Sequence, residues 1–411
     1  MAERLLPRQP TVLESVRVAD WTDQSGVYAG RLLADLGADV VRIETDAEPQ
    51  TWPEELMAAG PGGVPVSGLE RYVNLNKRSV RISTQTQAGR ELLAELLGHA
   101  DIVITSGAAA RQWQEAGNPL GTGVHVSVSP FGNVGHGAQL TADDLVTLAV
   151  GGLLSLGGYP DAEPVAVYGN QTYLAGGMNA AIGALLGLLA ADAGQGPADL
   201  DVSVQAVMAS ALEDAAAEFD LTGSVRRRTG DGLREAGTGT FACADGWIVV
   251  VAGKLGTAEA WDSLVGWLCE QDVDGAEALK APEWSTLEHR RLPASIAGFQ
   301  QVMESATARF TMQELYAELQ GRRIAAAPVN SIADLLTEPQ LADRQFFRTV
   351  ADDWMGRQIT YPGPPYRLTD HAMRDWTSAP APGRDTEQVL RDWLDAGDQW
   401  LAALRNDGVI A

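Results

Sequence analysis

From Val16 to Ser129, short β-branched runs alternate with stretches in which apolar residues recur every three to four positions. That is the pattern of a parallel sheet with crossover helices. Strands are expected at Val16 to Ala19, Asp39 to Glu44, Ser79 to Ile82, Asp101 to Thr105 and Val124 to Val128. Helices are expected at Tyr28 to Leu36, stopped by Gly37, and at Gln87 to His99. The fold class these elements imply is α/β with a Rossmann-like large domain. Leu174 to Ala190 is the most apolar stretch. It falls short of about 20 residues and is rich in Gly and Ala, which predicts a buried helix and no membrane span.

Leu200 to Val204 reads as a further strand, followed by a helix to about Phe219. Between Thr222 and Gly239 the apolar period lapses, and glycines and the run Arg226-Arg227-Arg228 take its place. A turn at Ala244-Asp245-Gly246-Trp247 and a strand at Ile248 to Val251 open a second region of mixed helices. After Asp343 the chain turns rich in Pro, Trp and Tyr, as a segment returning across the first domain would be. The division expected is a large domain beginning at 1–222, a linker at 223–239, a small α+β domain at 240–335, and a return segment at 336–411 that completes the large domain.

Charge narrows the partners. With 411 residues and a formal net charge of -24, the chain is long enough for two or three cores and is repelled by nucleic acid and anionic membranes. Cys243 and Cys269 are too few and too far apart for a disulfide framework or a zinc site, so a cytoplasmic setting is expected. Met1 to Pro10 is polar and broken by prolines, unlike a signal peptide. The five histidines show no ligand spacing, and no metal is expected.

Two sets of residues suggest ligand chemistry. Asn74-Leu75-Asn76-Lys77-Arg78 places two cations beside two side-chain amides, a set suited to phosphates or, taken alone, to a solvated turn. Gly26, at the entry of the first helix, belongs to a segment that offers N–H groups and a positive dipole end to an anion, although the G-x-G-x-x-G spacing is missing. His136 precedes Asp143 and Asp144 in a polar, glycine-rich loop and is a candidate base, or a plain surface histidine. Arg226 to Arg228 could meet phosphates, though a solvated linker accounts for them as well.

Several landmarks, in order, resemble the family III CoA transferases, the group that includes formyl-CoA:oxalate and carnitine CoA transferases and the α-methylacyl-CoA racemases. They are the first helix and second strand at Gly26 to Val40, the asparagine and basic signature at Asn74 to Ser79, and the glycine-rich helix at Gly169 to Gly183. Gly194-Gln195-Gly196 with Asp201-Val202-Ser203, Ala327-Pro328-Val329-Asn330, and Glu338 to Leu341 with Phe346-Phe347 complete the series. The resemblance implies a Rossmann-like large domain, a smaller inserted domain and two chains interlocked as rings. It also implies coenzyme A as substrate or ligand, approached by Gly26, Asn74, Asn76, Lys77 and Arg78.

One position departs from the family. Registering Gly177 to Gly183 on the family's glycine and following helix brings the nucleophilic aspartate position onto Tyr173, and a slip of one residue gives Thr172. In catalytic members the carboxylate attacks the acyl-CoA thioester, forms a mixed anhydride and then takes the CoA thiolate. A phenol has a reference pKa of about 10 against about 3.9 for Asp, so at neutral pH Tyr173 is a neutral hydrogen-bond donor. The racemase histidine falls on Asp143, with Asp144 matching its acid. Thr105 to Arg111 also lacks the asparagine, phenylalanine and proline that line the family's CoA path.

The implied function is a CoA transferase-family protein acting on an acyl-CoA or carboxylic acid, with Tyr173 as donor and Asp143, Asp144 or His136 moving a proton. The alternatives are a non-catalytic subunit paired with an aspartate-bearing homologue, and a small-molecule enzyme or binder on the same scaffold.

Overall fold

The computed structural model describes residues 10–46, 57–60, 65–230, 235–253 and 258–410. The segment before Pro10, residues 231–234 of the expected linker and Lys254 lie outside the described residues. The chain forms two units: a large one from 1–155, 166–225 and 343–411, and a second from 156–165 and 226–342.

The large unit opens with β1 (Arg17–Trp21), α1 (Val27–Asp35) and β2 (Asp39–Glu44). A short hairpin, β3 (Met57–Ala59) and β4 (Pro65–Ser67), leads to α2 (Gly68–Val73), β5 (Arg78–Arg81), α3 (Gln87–Gly98), β6 (Ile102–Ser106), α4 (Gly107–Glu115) and β7 (Val124–Ser129). Next come α5 (Asp144–Val150), the long α6 (Gln171–Asp192), β8 (Asp199–Ser203), α7 (Val204–Ser210) and α8 (Ala215–Thr222). Six strands form one parallel sheet in the order β5-β2-β1-β6-β7-β8. The chain thus builds outward from β1 to β5 and then returns to β6 on the other side of β1.

Alternation along the strands explains the two covered faces. Val18, Val40, Ile102, Ile104, Val126 and Val128 point to a core shared with α1 and α6. Ala19, Val41, Ile43 and Val103 point to the opposite core, shared with α3 and α4. Helix α3 shows how sequence sets this locally: Thr86 caps it by accepting from Gly89 N, and Leu92, Leu93, Leu96 and Leu97 form its buried stripe. Each of those leucines contributes about 1.5–3 kcal/mol by burial. Helix α1 stops where Leu36 gives way to Gly37 at φ 106°, a conformation that favours glycine.

Helix α6 is buried on one face only, which corrects the expectation of a buried helix. By length and composition it could cross a membrane. Its glycines let it approach closely: a Cβ on Gly177 would come within 2.8 Å of Tyr28 Cβ on α1. On the other face Met178, Ile182, Leu186 and Leu189 follow helical spacing and are 48%, 53%, 58% and 64% exposed. The helix expected to run on to Phe219 is broken between α7 and α8, where Glu213 adopts φ 49°.

The second unit holds an antiparallel sheet in the order β11-β10-β9, formed by β9 (Thr238–Ala242), β10 (Trp247–Val251) and β11 (Ala325–Pro328). Around it lie α9 (Ala258–Glu270), α10 (Leu287–Arg290), α11 (Pro293–Thr307), α12 (Met312–Gly321) and α13 (Ile332–Leu335). Its own core includes Phe241, Trp261, Trp267 and Phe299. After α14 (Pro339–Asp343), the chain rejoins the large unit as the hairpin β12 (Phe347–Asp352) and β13 (Arg357–Pro362), then α15 (Thr386–Leu394) and α16 (Asp398–Asn406). Val389, Leu390, Trp393, Leu401 and Leu404 on these two helices complete the core beside α3 and α4.

Candidate functional site

Where the chain leaves β1 for α1 and β6 for α4, two neighbouring strands diverge to opposite sides of the sheet. In open parallel sheets this switch point, outside the carboxyl ends of the strands, leaves a crevice for ligands. The residues here are Asp23, Gln24, Ser25 and Gly26 after β1, and Ser106 and Gly107 after β6.

Asp23 organises that corner. Its Oδ1 accepts from Ser25 N at 2.9 Å, Ser25 Oγ at 2.5 Å and Ser106 Oγ at 2.7 Å, while its backbone N donates to Ser106 Oγ at 2.8 Å. Its carbonyl accepts from Gly26 N and Val27 N. The Asp23 carboxylate is thus spent on the corner itself, and no side chain among the described residues caps α1. Gly26 is enclosed, since a Cβ there would meet Ser106 Oγ and Thr22 Cγ2 at 3.0 Å, so it serves close packing at the corner. The sequence signal was present in Asp23-Gln24-Ser25-Gly26, an acid followed by turn residues just ahead of a helix.

The head of α6 lies in the same neighbourhood, with Asn170 Nδ2 donating to Gln24 Oε1 at 3.4 Å. Tyr173 is half-buried, and its hydroxyl donates to Ala142 O at 3.3 Å. Burial drives its pKa well above the usual phenol value, and the carboxylates of Asp23, Asp143 and Asp144 push the same way. The group is thus held neutral. Thr172 is fully buried; both its N, at 2.9 Å, and its Oγ1, at 2.7 Å, donate to Asp144 Oδ1. Asp143 caps α5 by accepting from Val146 N at 2.8 Å. The structure therefore brings Tyr173, Asp143 and Asp144 together and adds Asp23. His136 is exposed in the loop after β7, and no hydrogen bond or ion pair joins it to that group among the described residues.

Asn74, Asn76, Lys77 and Arg78 have a different setting. Lys77 Nζ is buried 2.6 Å from Asp20 Oδ2, and donates to Val27 O at 2.7 Å and Asn74 Oδ1 at 3.1 Å. Burial pulls its pKa down to about 8, against the opposing pull of Asp20. A Cβ on Gly30 would fall on Asp20 Oδ2, so a bare glycine leaves space for the carboxylate of this pair. Asn74 Nδ2 donates to Glu70 O at 3.0 Å. Asn76 Nδ2 donates to Asp35 Oδ1 at 2.6 Å, and Asn76 Oδ1 accepts from Thr377 N of the return segment at 2.7 Å. Burial raises the Asp35 carboxyl to about 6, although Arg31, its closest cation, acts to lower it. Arg78 is paired with Asp39 and, at 2.6 Å, with Asp392 of α15.

These four residues tie β1, β2, α1, α15 and the return segment together. The expectation that they offer free cations and amides to a phosphate gives way for a physical reason: their donors are already committed to internal carbonyls and carboxylates. Among the described residues no three of His, Cys, Asp or Glu gather as metal ligands.

Comparison with known proteins bears on the family. A family model described as CoA-transferase family III matches residues 13–386. The chain is 33% identical to a protein of Thauera aromatica named succinyl-CoA:(R)-benzylsuccinate CoA-transferase subunit BbsE, covering 89% of this chain and 90% of that one. It is 29% identical to the formyl-CoA:oxalate CoA-transferase of Streptomyces avermitilis, over 97% and 99% of the two chains. Among solved structures, a CAIB/BAIF family protein from Brucella suis matches with a TM-score of 0.80 at 22% identity, over 94% of this chain and all of that one.

Proposed function

The chain belongs to CoA-transferase family III, and from that membership we propose that it takes part in the transfer of CoA between an acyl-CoA and a carboxylic acid, at the corner formed by Asp23, Ser106 and the head of α6. The observation that carries this reading is the Tyr173 hydroxyl at the head of α6, donating to Ala142 O and acted on by the carboxylates of Asp23, Asp143 and Asp144 beside a switch point of the sheet. Once released from Ala142 O, a neutral phenol donates its one hydrogen bond to a thioester carbonyl and stabilises negative charge developing there. Asp143 and Asp144 are the nearby groups able to take a proton, and His136 belongs to this set only if its loop moves. Lys77, held by Asn74, fixes the start of α1 through Val27 O, while Asn76 holds its end at Asp35 and Arg78 joins β2 to α15.

Titration calorimetry with a panel of acyl-CoAs tests the role of Tyr173. Tyr173→Phe should weaken binding or turnover about three- to tenfold, the worth of one neutral hydrogen bond. Undiminished binding and turnover would remove the hydroxyl from the site.

A second reading is that the aspartate comes from a homologous partner subunit. Two observations favour it: the absence of any carboxylate from Gly169 to Gly176, and a relative that is itself named as a subunit. The exposed stripe Met178, Ile182, Leu186 and Leu189 also calls for a covering surface, in a second copy or in that homologue. An interlocked dimer would provide it. Light scattering should then report a dimer that resists dilution, whereas a dilutable monomer with the same fold would count against both forms of association.

A further inference from the structure

In the large unit, residues of 344–349 and 364–376 line a cavity of about 320 Å3. Arg344, Arg348, Arg367 and Arg374 are among its lining residues, together with His371. This runs against the composition, since 54 acidic residues face 30 basic ones in the chain. Elsewhere in the unit arginine meets carboxylate, as in Arg31 with Asp35, Arg71 with Asp352 and Arg78 with Asp39. Around the cavity, no ion pair holds Arg344, Arg348 or Arg367 among the described residues.

Two of the cations are fixed without being neutralised. Arg344 Nη2 donates to Pro365 O at 3.0 Å, and Arg374 Nη1 donates to Ala38 O at 2.9 Å, which leaves their other N–H groups for a ligand. Arg374 also feels Asp35, and Asp375 is the one carboxylate on the described lining. The positive charges still outnumber it. Tyr366 and Trp376 add planar surface to the wall.

We propose that this cavity binds a small anion carrying two or more negative charges, borne by phosphate or carboxylate groups. Like charges gathered in one cavity repel, and a multivalent anion relieves that repulsion while accepting from the planar guanidinium forks. The volume sits at the small end of the range for ligand sites, about 300–1,000 Å3, which suits a compact ligand. Its lining residues are not those of the Asp23 and Tyr173 corner, and the proposal does not depend on the transferase reading.

The test is titration calorimetry of the full chain with inorganic pyrophosphate and with succinate, in low and high salt. Arg348 and Arg367 are both exposed, so Arg348→Gln with Arg367→Gln should leave the melting temperature unchanged. Saturable binding, weakened by salt and at least about tenfold weaker in the double variant, is expected. Tighter binding of pyrophosphate would name phosphate as the recognised group, and tighter binding of succinate would name carboxylate. Absence of saturable binding of either anion, or equal affinity in the double variant, would overturn the proposal.

Discussion

The signature at Asn74 to Arg78 and the head of α6 at Asn170 to Tyr173 are opposites. The first is rich in charge, and its buried cation is fully paired: Lys77 meets Asp20, Val27 O and Asn74. The second carries no formal charge of its own, yet the carboxylates of Asp23, Asp143 and Asp144 act on its phenol. The residues that most resemble a functional signature hold the scaffold together, and the proposed role at the site falls to the head of α6. Resemblance and chemical availability are separate properties of a residue, and only partners in space distinguish them.

Breaking the signature should give the largest effect on stability. Lys77→Met leaves Asp20 buried without its counter-ion, a change worth about 3–5 kcal/mol by urea denaturation. A variant as stable as the parent would mean that the pair does not brace the sheet. On the other side of the comparison, Thr172→Val removes one of the two donors to Asp144 from a fully buried position and should cost about 1–2 kcal/mol. An equal melting temperature would show that Asp144 is held by Thr172 N alone.

Arg78→Gln sharpens the contrast further. Arg78 is partly exposed and paired on two sides, so its loss should cost about 1 kcal/mol of stability and leave acyl-CoA affinity within about twofold. A large drop in affinity with unchanged stability would return Arg78 to the ligand. The last test is a pH dependence. The folded chain releases the Lys77 proton near pH 8 and the unfolded chain near 10.5, so the unfolded state holds more protons across that window. The stability governed by Lys77 therefore rises with pH from about 8 to 10.5. Lys77→Met should flatten that rise in a series of urea melts, and an unchanged slope would assign it to other groups.

Local patterns in the sequence account for much of the parallel sheet. Strand β2 occupies the expected Asp39 to Glu44, and Gly37 stops α1 as its position suggested. Strand β9 was not legible, because Thr238-Gly239-Thr240-Phe241-Ala242 has a glycine and no β-branched run; its register comes from pairing with β10. The break after α7 has no glycine or proline to announce it. At the site, Tyr173, Asp143 and Asp144 stand out through the family resemblance, which registers Tyr173 on the nucleophile position and Asp143 and Asp144 on the racemase pair. The partners of Lys77, Asn76 and Arg78 were not legible, since Asp20, Thr377 and Asp392 lie far away along the chain.

The central claim is that the head of α6 lacks a nucleophile and presents a neutral donor in its place. Intact-mass spectrometry with peptide mapping, after incubation with a panel of acyl-CoAs, tests it most directly. The account predicts no acyl or CoA adduct on residues 169–177 of the native chain, and an adduct at that position after Tyr173→Asp, which supplies a group ionised at neutral pH. A covalent adduct on the native chain, whether in that stretch or on Asp143 or Asp144, would contradict it.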